Sequence, residues 1–204
     1  MSDKKLRCIF FDLGNVLVSL DYGKFNDKME SLTGWTKEQL RAVFSSNPSI
    51  QKYELGLLND TEFLAGICGQ MGFGINRADF LEAWNCIFAV EPLLSGTLLG
   101  KLAQKYPLWI VSNTNRIHFG FIREGYPFLA HFKGWILSYE VGVAKPDPLI
   151  FTHALDRARI SASEVLFVDD QLPNVESARS LGMDAFQFLN AGQMEQEFRM
   201  RDIL

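Results

Sequence analysis

Cysteine is scarce in this 204-residue chain: Cys8, Cys68 and Cys86 are odd in number and widely spaced. A disulfide frame and a cysteine zinc site are thereby excluded, and the apolar neighbours of all three fit reduced core thiols. Clusters of Lys and Arg are missing as well. With 20 basic and 24 acidic side chains, a net charge of −4 and no basic run, the chain lacks the footprint of a nucleic-acid or anionic-membrane binder. No long hydrophobic run is present: Phe88–Leu94 is broken by Glu91 and Pro92, far short of the roughly 20 residues that span a bilayer. Met1–Lys5 lead straight into a strand-like segment holding Asp12, with no small-residue cleavage signal behind it, so the expectation is a cytoplasmic protein. Repeats and low-complexity tracts are absent. What is there, 48% hydrophobic and 22% charged residues, is the composition of a globular protein with a real core, which excludes a disordered or fibrous chain.

Three apolar runs share one pattern. Leu6–Phe11 ends in Asp12, Leu108–Val111 ends in Ser112-Asn113, and Val165–Val168 ends in Asp169-Asp170. Short continuous runs of this kind predict strands buried on both faces of a parallel sheet, whose carboxyl ends open onto the ligand crevice. Gly134–Ser138 and Ala185–Phe188 predict further strands. Helical patterns fall between them, at Leu98–Lys105, Arg116–Glu124, Pro148–Arg157, Asn174–Leu181 and Gly192–Met200. The alternation predicts a doubly wound α/β fold.

Residues 21–88 read differently, as about four helices with no strand. Phe25, Met29 and Leu32 keep helical spacing; Thr36-Lys37-Glu38-Gln39 is a capping box before Leu40, Val43 and Phe44. Asp60 or Thr61 caps a segment with Phe63, Leu64 and Ile67, and Asn76 caps one with Phe80, Trp84 and Ile87. The expected division is an α/β core of residues 1–16 and 92–204, with a helical cap of residues 17–91 hinged over the crevice by two connections.

Four segments supply the parts of a phosphoryl-transfer site. Asp12-Leu13-Gly14-Asn15 places a carboxylate at a strand end before a tight turn whose N–H groups can face a phosphoryl oxygen. Ser112 and Asn113 add neutral donors for the transferring group. Lys145, in a stiff turn with Pro146 and Pro148, offsets the charge of nucleophile and phosphate. Adjacent Asp169 and Asp170 repel one another unless a hard cation such as Mg2+ reconciles them. His118, His131 and His153 do not fall with these strand ends and are expected as surface or packing residues; Trp35, Trp84, Trp109 and Trp135 are expected to fill cores.

With these motifs in order, the chain resembles the haloacid dehalogenase superfamily of hydrolases, and Glu54-Leu55-Gly56 with Thr61-Glu62-Phe63 is similar to a stretch often seen in the family's helical caps. The resemblance implies Asp12 as the nucleophile of an aspartyl-phosphate mechanism and Ser112 and Lys145 as phosphoryl-binding. It implies Mg2+ on Asp12, the Gly14 carbonyl and Asp170, with Asp169 acting through water and Asn174 supporting the metal site or Lys145. One position departs from the pattern: phosphatases of the family usually carry an Asp two residues after the nucleophile, and here that residue is Gly14. A cap side chain such as Glu54, a substrate hydroxyl or water is left to supply the proton. The Asp-Leu-Gly-Asn-Val form resembles a branch that includes sugar-phosphate phosphatases. The expected activity is Mg2+-dependent hydrolysis of a small phosphorylated metabolite; 2-haloacid dehalogenation and a non-catalytic phosphate sensor are the alternatives.

Overall fold

The computed structural model describes residues 6–45, 47–71 and 74–204; the reading of Met1–Lys5 lies outside them. Five strands, β1 (Cys8–Phe11), β4 (Leu108–Ser112), β5 (Gly134–Leu137), β6 (Val165–Asp169) and β7 (Asp184–Gln187), form one sheet in the spatial order β5-β4-β1-β6-β7. Every pairing in it is parallel. Side chains alternate across the sheet: Ile9 and Phe11 of β1 join one core, while Cys8 and Phe10 join another on the opposite face. Both faces are covered, which is why these strands read as unbroken apolar runs. From β1 the sheet grows first toward β4 and β5 and then, on the other side, toward β6 and β7. The reversal puts a topological switch point at the carboxyl end of β1, directly before Asp12.

Helices α6 (Gly96–Lys105), α7 (Arg116–Gly125), α9 (Pro148–Ala158), α10 (Leu172–Ser180) and α11 (Ala191–Met200) lie close to their expected places. A four-residue helix, α8 (Ser138–Val141), continues straight from β5 and ends at Gly142 in the left-handed region, φ 74°. Its shortness hid it from periodicity.

Between β1 and α6 the insertion holds α1 (Tyr22–Thr33), α2 (Lys37–Ser45), α3 (Pro48–Glu54), α4 (Asp60–Met71) and α5 (Arg77–Asn85). Among the described residues these are five helices where about four were expected. The additional one, α3, opens at Asn47, whose side chain accepts from Ser49 N, with Pro48 in its first turn. Expectation fails in a second place too: β2 (Val18–Leu20) and β3 (Phe88–Pro92) form an antiparallel ribbon where the chain enters and leaves the helices. Aromatic packing organises the helices. Trp84 stacks on Phe80 and His118 and meets Phe25 edge-on, while Tyr53 lies flat on Phe63 with ring centroids 4.1 Å apart. Trp84 is buried, whereas Trp35, Trp109 and Trp135 are half-buried against the cores. All three cysteines are free thiols, Cys8 buried and the other two half-buried.

Candidate active site

Asp12 follows the last residue of β1, and its backbone N–H donates to Val168 O across the sheet. Its Oδ1 accepts from Leu13 N at 2.7 Å and lies 2.8 Å from Lys145 Nζ. The same ammonium reaches Asp169 Oδ2 at 2.6 Å, and its side chain is only 1% exposed. Lys145 thus stands between two carboxylates. Burial works against its charge, but Asp12 and Asp169 outweigh it and hold the ammonium above its ordinary range. Burial pushes the Asp12 carboxyl up, against the pull of Lys145.

Asp169 and Asp170 differ in what holds them. Both oxygens of Asp169 are engaged: Oδ2 by Lys145, and Oδ1 by Gln171 N at 2.8 Å and Asn174 Nδ2 at 2.9 Å. Asp170 is held through Oδ2 alone, by Gln171 Nε2 at 2.7 Å and Asn15 Nδ2 at 3.4 Å. Ligand oxygens of Asp12, Asp169 and Asp170 all lie within 4.8 Å of one another. Three carboxylates face one ammonium, an oxygen-rich donor set with excess negative charge that suits a hard divalent cation.

The structure reassigns several sequence-level expectations. Asn113, expected to donate to the transferring group, instead clamps the backbone of Lys145: its Nδ2 donates to Lys145 O at 2.8 Å and its Oδ1 accepts from Lys145 N at 2.7 Å. The Asn15 side chain, expected at the substrate, accepts from Leu20 N at 3.0 Å and leans on Asp170; its φ of 54° is a conformation Asn tolerates. Asn174 lies inside α10 with its amide on Asp169. Asn115 caps α7 through His118 N, and Ser112 ends β4 ahead of it. Its buried hydroxyl has a long 3.4 Å contact with Asn113 O and opens on the crevice beside Leu13 and Gly14.

A cavity of about 390 Å³ runs from Gly14, Ser112 and Asn113 up into the inserted helices. Its wall is largely apolar, with Phe25, Phe44, Ile50, Trp84 and Phe88 prominent, and Tyr22, Arg41, Glu54 and His118 supply its titratable groups. His118 is the packing residue expected, stacked on Trp84 and edge-on to Phe88, and it lines the crevice as well. Its Nε2 is 2.9 Å from Trp84 O and its Nδ1 is 3.1 Å from Asn115 Nδ2, and burial pushes it down to about 4, so it stays neutral. No motif marks it; its helical neighbourhood of Phe and Ile reads as packing. His153 is exposed, as expected. Gln171 escaped notice too, although it directly follows the two aspartates that it orients.

A family profile for haloacid dehalogenase-like hydrolases matches residues 6–182. A D-ribitol-5-phosphate phosphatase from Bacteroides thetaiotaomicron is 28% identical over 201 residues, 94% of this chain and 96% of that protein. A sesquiterpene phosphatase from Aspergillus oryzae is 25% identical over 179 residues, 87% of each chain. Among solved structures, a haloacid dehalogenase family enzyme from B. thetaiotaomicron in complex with magnesium and inorganic phosphate superposes with a TM-score of 0.87 at 28% identity, over 95% of this chain and all of that one.

Proposed function

This chain belongs to the haloacid dehalogenase-like hydrolase family, and from that premise we propose that it is a Mg2+-dependent phosphatase which hydrolyses a small phosphorylated metabolite through an aspartyl-phosphate on Asp12. The observation that carries the reading is the buried Asp12–Lys145–Asp169 array at the switch point, with Asp170 beside it. Leu13 N and Lys145 both address one oxygen of Asp12, which leaves the other for attack on phosphorus. Lys145 and the Ser112 hydroxyl hold the phosphoryl oxygens. Asn113 fixes the Lys145 backbone, so the ammonium is positioned before the substrate arrives. Asp12, Asp170 and the Gly14 carbonyl would hold Mg2+, with Asp169 and Asn174 behind them. When bound, Mg2+ supplies the positive charge that lets an anionic carboxylate approach an anionic phosphate. Residues 17–91 act in this reading as the cap that closes over the substrate.

A sugar or sugar-alcohol phosphate is the favoured substrate class, supported by the ribitol phosphatase relative that matches nearly end to end. A second class is favoured by the aromatic wall of the cavity: a phosphate ester with an apolar skeleton, as in the sesquiterpene phosphatase relative. Comparing kcat/KM for D-ribitol 5-phosphate and farnesyl phosphate decides between them. The mechanism is tested by phosphate release with Mg2+, with excess chelator, and with Asp12→Asn. Turnover is expected only from the wild type with metal. Full activity in the variant, or indifference to chelator, overturns the mechanism.

A further inference from the structure

Gly14 leaves the site without an acid two residues after Asp12. A Cβ built on Gly14 would lie 2.8 Å from Leu20 Cδ1, the tip of a flexible side chain from the ribbon that packs beside it. The proton for a poor leaving group must come from another direction. Among the residues lining the cavity that opens from Gly14 and Ser112, Glu54 is the single carboxylic acid.

Two anchors hold it there. Tyr53, the preceding residue, is fully buried, stacks on Phe63 and donates from its hydroxyl to Asp60 Oδ1 at 2.8 Å, fixing α3 to α4. Two residues after Glu54, Gly56 adopts φ +69° with its Cα against the Tyr139 carbonyl of α8; a Cβ would come within 2.1 Å of that oxygen. The carboxyl end of α3 is thereby fastened to the core sheet's side of the crevice. Glu54 thereby lines the same cavity as Gly14, Tyr22 and Ser112. Glu54 is half-buried, it makes no hydrogen bond or ion pair among the described residues, and burial pushes its carboxyl up. The other titratable groups do not substitute for it. His118 has both ring nitrogens engaged, and the Arg41 guanidinium has no acceptor atom with which to serve as a base. On the elements packed against α3, Asp60 is engaged by Tyr53 and faces Arg116, and Glu140 faces Arg157.

We propose that Glu54 is the general acid–base of this site, protonating the leaving alcohol and then activating water. The proposal rests on the phosphatase reading above. In the first step an Asp12 oxygen forms a bond to phosphorus as the ester P–O bond breaks. The released electron pair on the ester oxygen takes the Glu54 proton, giving a neutral alcohol, a Glu54 carboxylate and the aspartyl-phosphate. In the second step that carboxylate takes a proton from the water attacking phosphorus, which returns Glu54 to its acid form and frees Asp12 and inorganic phosphate. A dedicated acid matters for an alkyl ester and little for an aryl one, so the substrate is the phosphate of an aliphatic alcohol.

First-turnover release of the alcohol is measured for wild type, Glu54→Gln and Glu54→Asp with Mg2+, using D-ribitol 5-phosphate and 4-nitrophenyl phosphate. In Glu54→Gln the ribitol rate is expected to fall about 10²–10⁴-fold, with the alkaline limb of its pH profile abolished. The nitrophenol burst is expected to remain within about threefold and to be followed by slow turnover, because water still lacks its base. Glu54→Asp should restore part of the ribitol rate. Equal losses on both esters, or no loss on ribitol phosphate, overturn the assignment. A wild type that cleaves neither ester overturns the phosphatase reading along with it, whereas intact wild-type hydrolysis with an indifferent Glu54→Gln overturns the Glu54 role alone.

Discussion

Asp12→Asn, which removes the proposed nucleophile, should also make the metal-free protein more stable. Asp12 Oδ1 lies 2.8 Å from Lys145 Nζ, while ligand oxygens of Asp12, Asp169 and Asp170 lie within 4.8 Å of one another. At an effective dielectric of about 20, the ion pair is worth roughly 6 kcal/mol and each like-charge contact at least about 3.5 kcal/mol. A neutral Asn removes both repulsions and the cost of burying a charge, and its amide oxygen can still accept from Lys145 and Leu13 N. The balance favours the variant by about 1–3 kcal/mol, which for a chain of this size raises the melting temperature by about 3–9 °C. The sign follows from protonation as well. Burial raises the Asp12 carboxyl in the folded state, so the folded chain keeps this proton to higher pH than the unfolded one does. The contribution of Asp12 to wild-type stability therefore falls as pH rises above the ordinary carboxylate range, about 4, and the gap between the proteins widens from acid to neutral pH. Thermal melts in excess chelator at pH 4.5 and 7.5 measure it. A variant that melts at or below the wild type at pH 7.5 refutes the reasoning. Saturating Mg2+ should narrow the gap, because the wild type offers the cation one more carboxylate.

Mg2+ at about 100 times its dissociation constant should stabilise the wild type by about 2.7 kcal/mol, seen as a rise in melting temperature that chelator reverses. Asp170→Asn should lose most of that rise, since both protein donors to Asp170 use Oδ2 and leave Oδ1 for the cation. Gly56→Ala should move α3 off the Tyr139 carbonyl and reproduce the Glu54→Gln pattern, slow on ribitol phosphate with the nitrophenol burst retained; equal loss on both esters would refute this positioning role. His118, lowered to about 4 by burial against an unfolded value near 6.5, contributes stability that is full above about pH 6.5 and lost as pH falls toward 4. Denaturant titrations should show a slope of unfolding free energy against pH that is smaller in His118→Gln across that window, by up to one proton.

The elements that could be read from sequence are those whose burial leaves a periodic mark. β1, β4 and β6 are covered on both faces, so Ile9, Phe10 and Phe11, or Leu166, Phe167 and Val168, leave no gap in the run. Asp12, Lys145, Asp169 and Asp170 stood out because each breaks such a run or interrupts a stiff turn, and the fold brings all four together. The β2–β3 ribbon left no such mark: Val18–Leu20 is three residues long, and its partner ends in Pro92. Helix α3 is two turns long, too short to show a face. Asn15 and Asn113 could be placed at the crevice, but which partner an amide takes depends on contacts 155 and 32 residues away along the chain.

Leu20 belongs to the ribbon that carries the chain into the inserted helices, and it packs over Gly14 in the turn behind the nucleophile. The cap and the nucleophile loop therefore share an element. In a site that keeps its acid two residues from the nucleophile, both groups move with the core. Here the proposed nucleophile follows β1 and the proposed acid rides on α3, so their meeting depends on how α3 sits against α8. With Gly56 against the Tyr139 carbonyl, Glu54 is held in the cavity; withdrawal of α3 would take it away while Asp12, Lys145 and the carboxylates keep their arrangement. Closure would then be a chemical requirement as well as a means of excluding water. A phosphate ester too large to let α3 seat would still bind to Lys145 and Ser112, yet its alcohol would leave without a proton. Selectivity against bulky esters should thus appear in kcat more than in KM, the pattern expected when binding energy is used to assemble the catalytic groups.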